Sequence, residues 1–175
     1  MLKKSWVLLS VGAAALIPGM AFSQIGGSAK AEIGAIINEY KRAGLSGNRR
    51  ALADWVANNV ASAFMGVSTP DMSTMNKKNW YQDALTNSQQ YRATKIEFKF
   101  NSIDTKNGVA VIRMNLEFVG SRMQNRRKER FRSFGSYRDT WRWMNGRWML
   151  DTDEERSYKM WVNGKLTVSR LQPEK

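Results

Sequence analysis

The chain reads as an α+β protein, three N-terminal helices packed on a curved antiparallel sheet. The hydrophobic period is 3.6 before residue 90 and 2 from Tyr91 onward. Two Asn-Gly pairs, Asn145-Gly146 and Asn163-Gly164, fall between runs of strand-like alternation, where two-residue hairpin loops need positive φ. Helices first and a meander of strands afterwards places the helices on one face of the sheet.

The first helix is expected from a Ser28 cap, with Ile33, Ile36, Ile37 and Tyr40 in one stripe and Gly44 to Asn48 ending it. A second follows at Leu52, Trp55 and Val56. Val60 to Val67 is apolar and mixed, a short strand or irregular segment. Ser73 is expected to cap a third helix carrying Trp80, Tyr81, Ala84 and Leu85. Ile96, Phe98 and Phe100 then alternate with Lys95, Glu97 and Lys99, and Ile112, Met114, Leu116 and Phe118 do the same in the next strand. Arg122 to Arg130 reads as a polar connection, Phe131 to Trp143 as a third strand and Arg147 to Glu154 as a fourth. Tyr158 to Val168 forms a small terminal hairpin.

Composition narrows the chemistry. The 175 residues contain no Cys and no His, which excludes disulfides, thiolate metal sites, cysteine nucleophiles and the Ser-His-Asp triad. Seven Trp and seven Phe supply a core, so wholesale disorder is excluded. The formal charge of +13 points to acidic partners or anionic surfaces. No cofactor and no metal site is expected. The acidic run Asp151-Thr-Asp153-Glu154-Glu155 lacks calcium-loop spacing and reads as counter-charge to the basic residues.

Met1-Leu-Lys-Lys, an apolar run from Trp6 to Ile17, then Pro18-Gly19 and small residues at Ala21 and Ser23 have the layout of a cleavable export signal. The run is too short to cross a bilayer comfortably. Residues 1–23 are read as signal peptide and 24–175 as one domain, with cleavage near Ser23-Gln24. The expected address is periplasmic or secreted, with no transmembrane segment in the mature form and no access to nucleic acid.

This order of elements resembles the nuclear transport factor two-like superfamily, the ketosteroid isomerase and SnoaL type of cone in the cystatin-like class. The residues that carry the resemblance are Ile33 to Tyr40, Ala51-Leu-Ala-Asp-Trp55, and the hairpin Arg138-Asp-Thr-Trp141 through Asn145-Gly-Arg-Trp148. The resemblance implies a conical cavity between helices and sheet, and a homodimer through the outer sheet face. Superfamily membership leaves the chemistry open, because one scaffold hosts isomerases, dehydratases and binding modules.

A regular Asn145-Gly146 hairpin pairs Trp143 with Trp148, Trp141 with Leu150, Asp139 with Thr152 and Tyr137 with Glu154. The inner face would carry Trp141, Trp148, Leu150, Asp139, Tyr137, Thr152 and Glu154. Arg138 and Asp153 would face each other outside. Tyr40, Trp55, Trp80, Trp141 and Trp148 are therefore the candidate ligand wall. Asp139 and Tyr137 are the candidates for a proton-transfer base and its hydrogen-bond donor. Arg126, Arg127, Lys128 and Arg130 form a basic loop suited to an acidic envelope partner or polyanion. The leading expectation is an exported, non-catalytic domain that binds a small apolar ligand or serves as an accessory interaction module. The alternatives are a cofactor-independent isomerase- or dehydratase-like enzyme, and an envelope partner-binding module using the basic loop.

Overall fold

The computed structural model describes residues 25–68, 73–86, 91–124 and 126–171. The expected signal peptide lies outside the described residues. Three helices, α1 (Ile25–Ser46), α2 (Arg49–Asn59) and α3 (Lys77–Thr86), cover one face of a seven-stranded sheet. Its strands are β1 (Val60–Val67), β2 (Thr74–Asn76), β3 (Tyr91–Lys106), β4 (Val109–Gln124), β5 (Arg127–Met144), β6 (Arg147–Val162) and β7 (Lys165–Leu171). Their order is β2-β1-β6-β5-β4-β3, with β7 pairing the far half of β6.

The sheet is mixed, where an antiparallel one was expected. β1 runs parallel to β6, from Val60 opposite Leu150 to Val67 opposite Glu154. The reason is connectivity: α2 feeds straight into β1, and the chain passes through α3 and four strands before returning beside it. β6 thus shares one edge between β1 and β7.

Local physics accounts for the helix ends. Asn48 caps α2, its side-chain oxygen accepting from the amides of Arg50 and Ala51. The Lys77 ammonium donates to the carbonyls of Ala57 and Val60, satisfying the C-terminal end of α2. Burial, then the charge of Arg147, lowers its pKa. α1 begins at Ile25, so Ser28 lies inside it and is no cap. α3 begins four residues beyond Ser73, because Thr74 to Asn76 first pair with β1. Asn76 takes over as cap, accepting from the Asn79 amide at 2.8 Å. Gly44 lets α1 press onto β3: a Cβ there would lie 2.6 Å from Ile96 Cδ1.

β4 and β5 run well past their expected ends. Only a tight turn around Arg126, with φ of 62°, separates them. The supposed connection from Arg122 to Arg130 is therefore strand on both sides. Asn107, Asn145 and Asn163 all take positive φ, each before a glycine that does the same.

Ile33, Ile37, Val56, Val60, Ile112 and Leu150 form the core with Trp141 and Trp148. No helix among the described residues is long and apolar enough to cross a membrane.

Candidate functional site

The β5–β6 ladder decides what faces the helices. From the turn it follows the regular register: Met144 with Arg147, Trp143 with Trp148, Trp141 with Leu150. Then β6 carries one residue too many. Thr140 pairs with Thr152, Asp139 with Asp153 and Tyr137 with Glu155. Asp151 is the extra residue, and such a bulge reverses the inward and outward alternation beyond it. A second shift, with Arg156 left over between Glu155 and Ser157, restores the original parity, and Tyr158 pairs with Gly135.

The expected inner residues Thr152 and Glu154 are thereby corrected. Asp153 and Glu155 turn inward instead, and Glu154 turns out to meet Arg138 and Arg156. Asp151 pairs with Arg142 on the outer face. Counter-charge is thus the part played by Asp151 and Glu154, while Asp153 and Glu155 line the chambers. No group of acids suited to a metal ion occurs among the described residues.

A chamber of about 170 Å³ lies between the sheet and the helices. Tyr40 from α1, Trp55 from α2 and Trp80 from α3 form its helical wall, with Phe98 of β3 beside them. Tyr137, Asp139 and Trp141 of β5 and Asp153 of β6 form its sheet side. Trp148 does not line it. That indole lies in the core beneath, 1% exposed, because its position next to the turn puts it below the helices' packing surface.

The wall is held rigidly. The Trp55 indole donates to the Ile36 carbonyl at 2.9 Å, tying α2 to α1. Tyr40 meets Trp55 edge-on at a centroid distance of 4.9 Å, and Trp80 packs against Trp55 and Phe64 at 5.9 and 5.2 Å. The Tyr137 ring leans back over Gly135, where a Cβ would sit 2.7 Å from the phenol oxygen.

Two further openings adjoin this chamber, one larger and one smaller. One of about 460 Å³ shares Tyr40, Trp80 and Leu116 with it and runs out past Ile96 and Phe131 to Tyr158. The other, about 110 Å³, shares Trp80, Tyr137 and Asp153 and adds Glu155. Asp153 stands where the inner chamber and this smaller one meet.

The electrostatics of the site are unusual for a chain with 28 Lys and Arg. None of those among the described residues lines any of the three chambers. Asp139 is 2% exposed, and its Oδ1 has no hydrogen-bond partner. Burial above all, then the charge of Asp153, pushes its carboxyl well above the ordinary carboxylate range. The neighbouring Trp141 indole pulls the other way, although its N–H makes no hydrogen bond of ordinary geometry. Burial, then Glu155 and Glu154, raises Asp153 to about 7. Burial and Asp153 likewise raise Tyr40 to about 12 and hold Tyr137 well above its usual value. Both phenols are therefore neutral donors at physiological pH, beside a carboxyl pair that holds a proton more readily than free carboxylates do.

Of the residues singled out in the sequence, the structure places Tyr40, Trp55, Trp80, Trp141, Tyr137 and Asp139 around one chamber. Sequence reasoning missed Asp153 and Glu155, since only the bulges bring them in. The other candidate surface, Arg126, Arg127, Lys128 and Arg130, is exposed at the far tip of the β4–β5 hairpin. Arg126 alone is in the turn, and the other three belong to β5. The Asn163 side chain accepts from the Arg130 amide at 3.0 Å, so the β6–β7 turn lies against this tip.

No family model and no curated protein matches the chain. Solved structures do. A putative scytalone dehydratase from Novosphingobium aromaticivorans superposes with a TM-score of 0.67 at 13% identity, over 87% of this chain and 98% of that one. A conserved protein from Planctomyces limnophilus gives 0.61 at 16% identity, over 73% and 94%. An NTF2-like protein from Cytophaga hutchinsonii gives 0.52 at 14%, over 72% and 95%. The fold is that of the NTF2-like superfamily, as the sequence resemblance implied.

Proposed function

We propose that this chain is an exported small-molecule-binding domain, its ligand held between the three helices and the inner face of the sheet. The observation that carries the reading is the aromatic chamber itself: rigid walls, a few convergent polar groups and continuity with a larger opening, which is how ligand sites are built. Export rests on the lysines and apolar run of residues 3–17 and the small residues near Ser23.

Native mass spectrometry of protein purified from the exported compartment tests it. A bound mass that leaves on activation is expected, and it should be absent from Leu116→Trp, which fills the junction of the two larger chambers. Such overpacking costs about 1–3 kcal/mol, which a folded domain survives. A bare mass across preparations, from wild type and variant alike, would count against the reading.

One observation favours a second reading, proton transfer by Asp139 with Tyr137 as donor. The Asp139 Oδ1 is buried and unpartnered, and Asp139 lines the chamber. The match to a putative dehydratase agrees with it without assigning it. Incubating the recovered ligand with the protein in heavy water distinguishes the two. Deuterium gained with wild type and not with Asp139→Asn supports proton transfer. No gain with either leaves binding as the function.

A further inference from the structure

Among the described residues no Lys or Arg lines the chamber that Asp139 and Asp153 share, and the rings around them are electron-rich. We propose that the ligand class this cavity selects is an organic ammonium ion, its charged head between Asp139 and Asp153 and its apolar body along Tyr40, Trp55 and Trp80. The proposal rests on the ligand-binding reading above and adds the ligand's charge to it.

Three features of the molecule converge. The first is the segregation of charge. In a protein of net charge +13, every ionisable group among the described residues lining the three chambers is an acid or a phenol. On the inner sheet face these are Asp139 and Tyr137 of β5, Asp153, Glu155 and Tyr158 of β6, and Tyr91 of β3. α1 contributes Tyr40, α3 contributes Asp83 at the mouth, and α2 presents only Trp55 and Leu52. An anionic ligand would meet carboxyls and no cation among the described lining residues.

The second feature is the deficit at Asp139. A carboxyl 2% exposed with an unpartnered oxygen carries a desolvation cost when ionised, which it escapes by holding a proton or which an incoming cation offsets. A neutral donor would satisfy one lone pair. A cation would also relieve the repulsion between Asp139 and Asp153, which face each other across the ladder.

The third is the wall. Tyr40, Trp55 and Trp80 all line the chamber and pack edge to face in succession. Rings so placed attract a cation through their quadrupoles, and tryptophan does so best. The inner chamber of about 170 Å³ suits a compact ammonium head, and the adjoining opening has room for the body.

The test compares benzyltrimethylammonium with neopentylbenzene, its neutral carbon isostere, by quenching of tryptophan fluorescence. Shape is matched, so the difference reads charge alone. At pH 8 the cation is expected to bind at least about tenfold more tightly, since one cation–π contact and one buried ion pair each exceed the energy of a factor of ten. The preference should shrink at pH 5, where the carboxyl pair holds protons, and vanish in Asp139→Asn/Asp153→Asn. Equal binding of the two probes, or a preference that survives the double variant, overturns the cation assignment and leaves the cavity a neutral-ligand site. Binding of neither probe overturns the binding reading as well. The wild-type comparison at two pH values stands even if the double variant does not fold.

Discussion

The two faces of one sheet hold their carboxylates in opposite ways. Outside, Glu117 accepts from Lys95 at 2.8 Å and Arg132 at 2.7 Å, and Lys95 also reaches Glu97 at 3.0 Å, bridging two acids that face each other across the ladder. Glu154 meets Arg156 at 2.8 Å and Arg138 at 3.6 Å. Inside, Asp139 and Asp153 face each other with no ion pair to either among the described residues. Basic residues are abundant in this chain, so their absence from the cavity is a matter of placement and not of supply. The outer pairs suppress repulsion at a solvated surface, where each is worth little. The inner pair does nothing for stability and leaves the cavity electrically unfinished.

The largest consequence is in the pH dependence of stability. Folding raises the pKa of Asp139 and Asp153, so the folded state binds their protons more tightly than the unfolded chain. The sign follows: their cost is absent below the ordinary carboxylate range and grows as pH climbs through about 7, the value Asp153 reaches. Asp139→Asn/Asp153→Asn should therefore raise the unfolding free energy by about 2–4 kcal/mol at pH 8 and change it little at pH 3. Urea unfolding at the two pH values checks this. A double variant less stable than wild type at pH 8 would mean the inner carboxyls are satisfied by partners.

How legible this was in the sequence depends on the same ladder. Alternation located every strand around the site, and the turn-end register, Trp143 with Trp148 and Trp141 with Leu150, followed from Asn145-Gly146 alone. Period-2 reasoning then ran through Asp151 without a break, because an extra residue in a strand leaves no compositional mark. The two shifts in β6 exchange Thr152 and Glu154 for Asp153 and Glu155 over just the stretch that meets Asp139 and Tyr137. The parallel pairing of β1 was illegible for a different reason. It joins residues far apart in the chain, and nothing in Val60 to Val67 states a partner. Trp148 shares a face with Trp141 but not its place at the cavity, an arrangement that alternation alone does not encode.

A subtler difference between the faces can be made at Gly135. Tyr137 lies against it, and a Cβ would fall 2.6 Å from ring Cε2. Gly135→Ala should swing the phenol away from the chamber, at about 1 kcal/mol in stability. The expected signature is probe binding weakened several-fold with the pH dependence of unfolding retained, since Asp139 and Asp153 stay where they are. Loss of that pH dependence would show that Tyr137 sets the environment of the carboxyl pair, and the chamber would have to be treated as one coupled unit.

The smallest expected effect belongs to the outer face, and it carries the opposite sign. Hydrogen bonds from Lys95 first, and from Arg132, lower the pKa of Glu117, so its contribution is present above the ordinary carboxylate range and is lost on acidification. Glu117→Gln should lower the urea midpoint slightly at pH 7, leave it unchanged at pH 3, and lose even the pH 7 difference in high salt, because solvent and ions screen this pair. The inner pair has no such escape, since the helices and the aromatic wall keep salt away from it. If Glu117→Gln were as consequential as the inner double variant, or as indifferent to salt, the outer ladder would be a structural network in its own right. The contrast between a solvated face that neutralises its charges and an enclosed one that holds them in reserve would then fail.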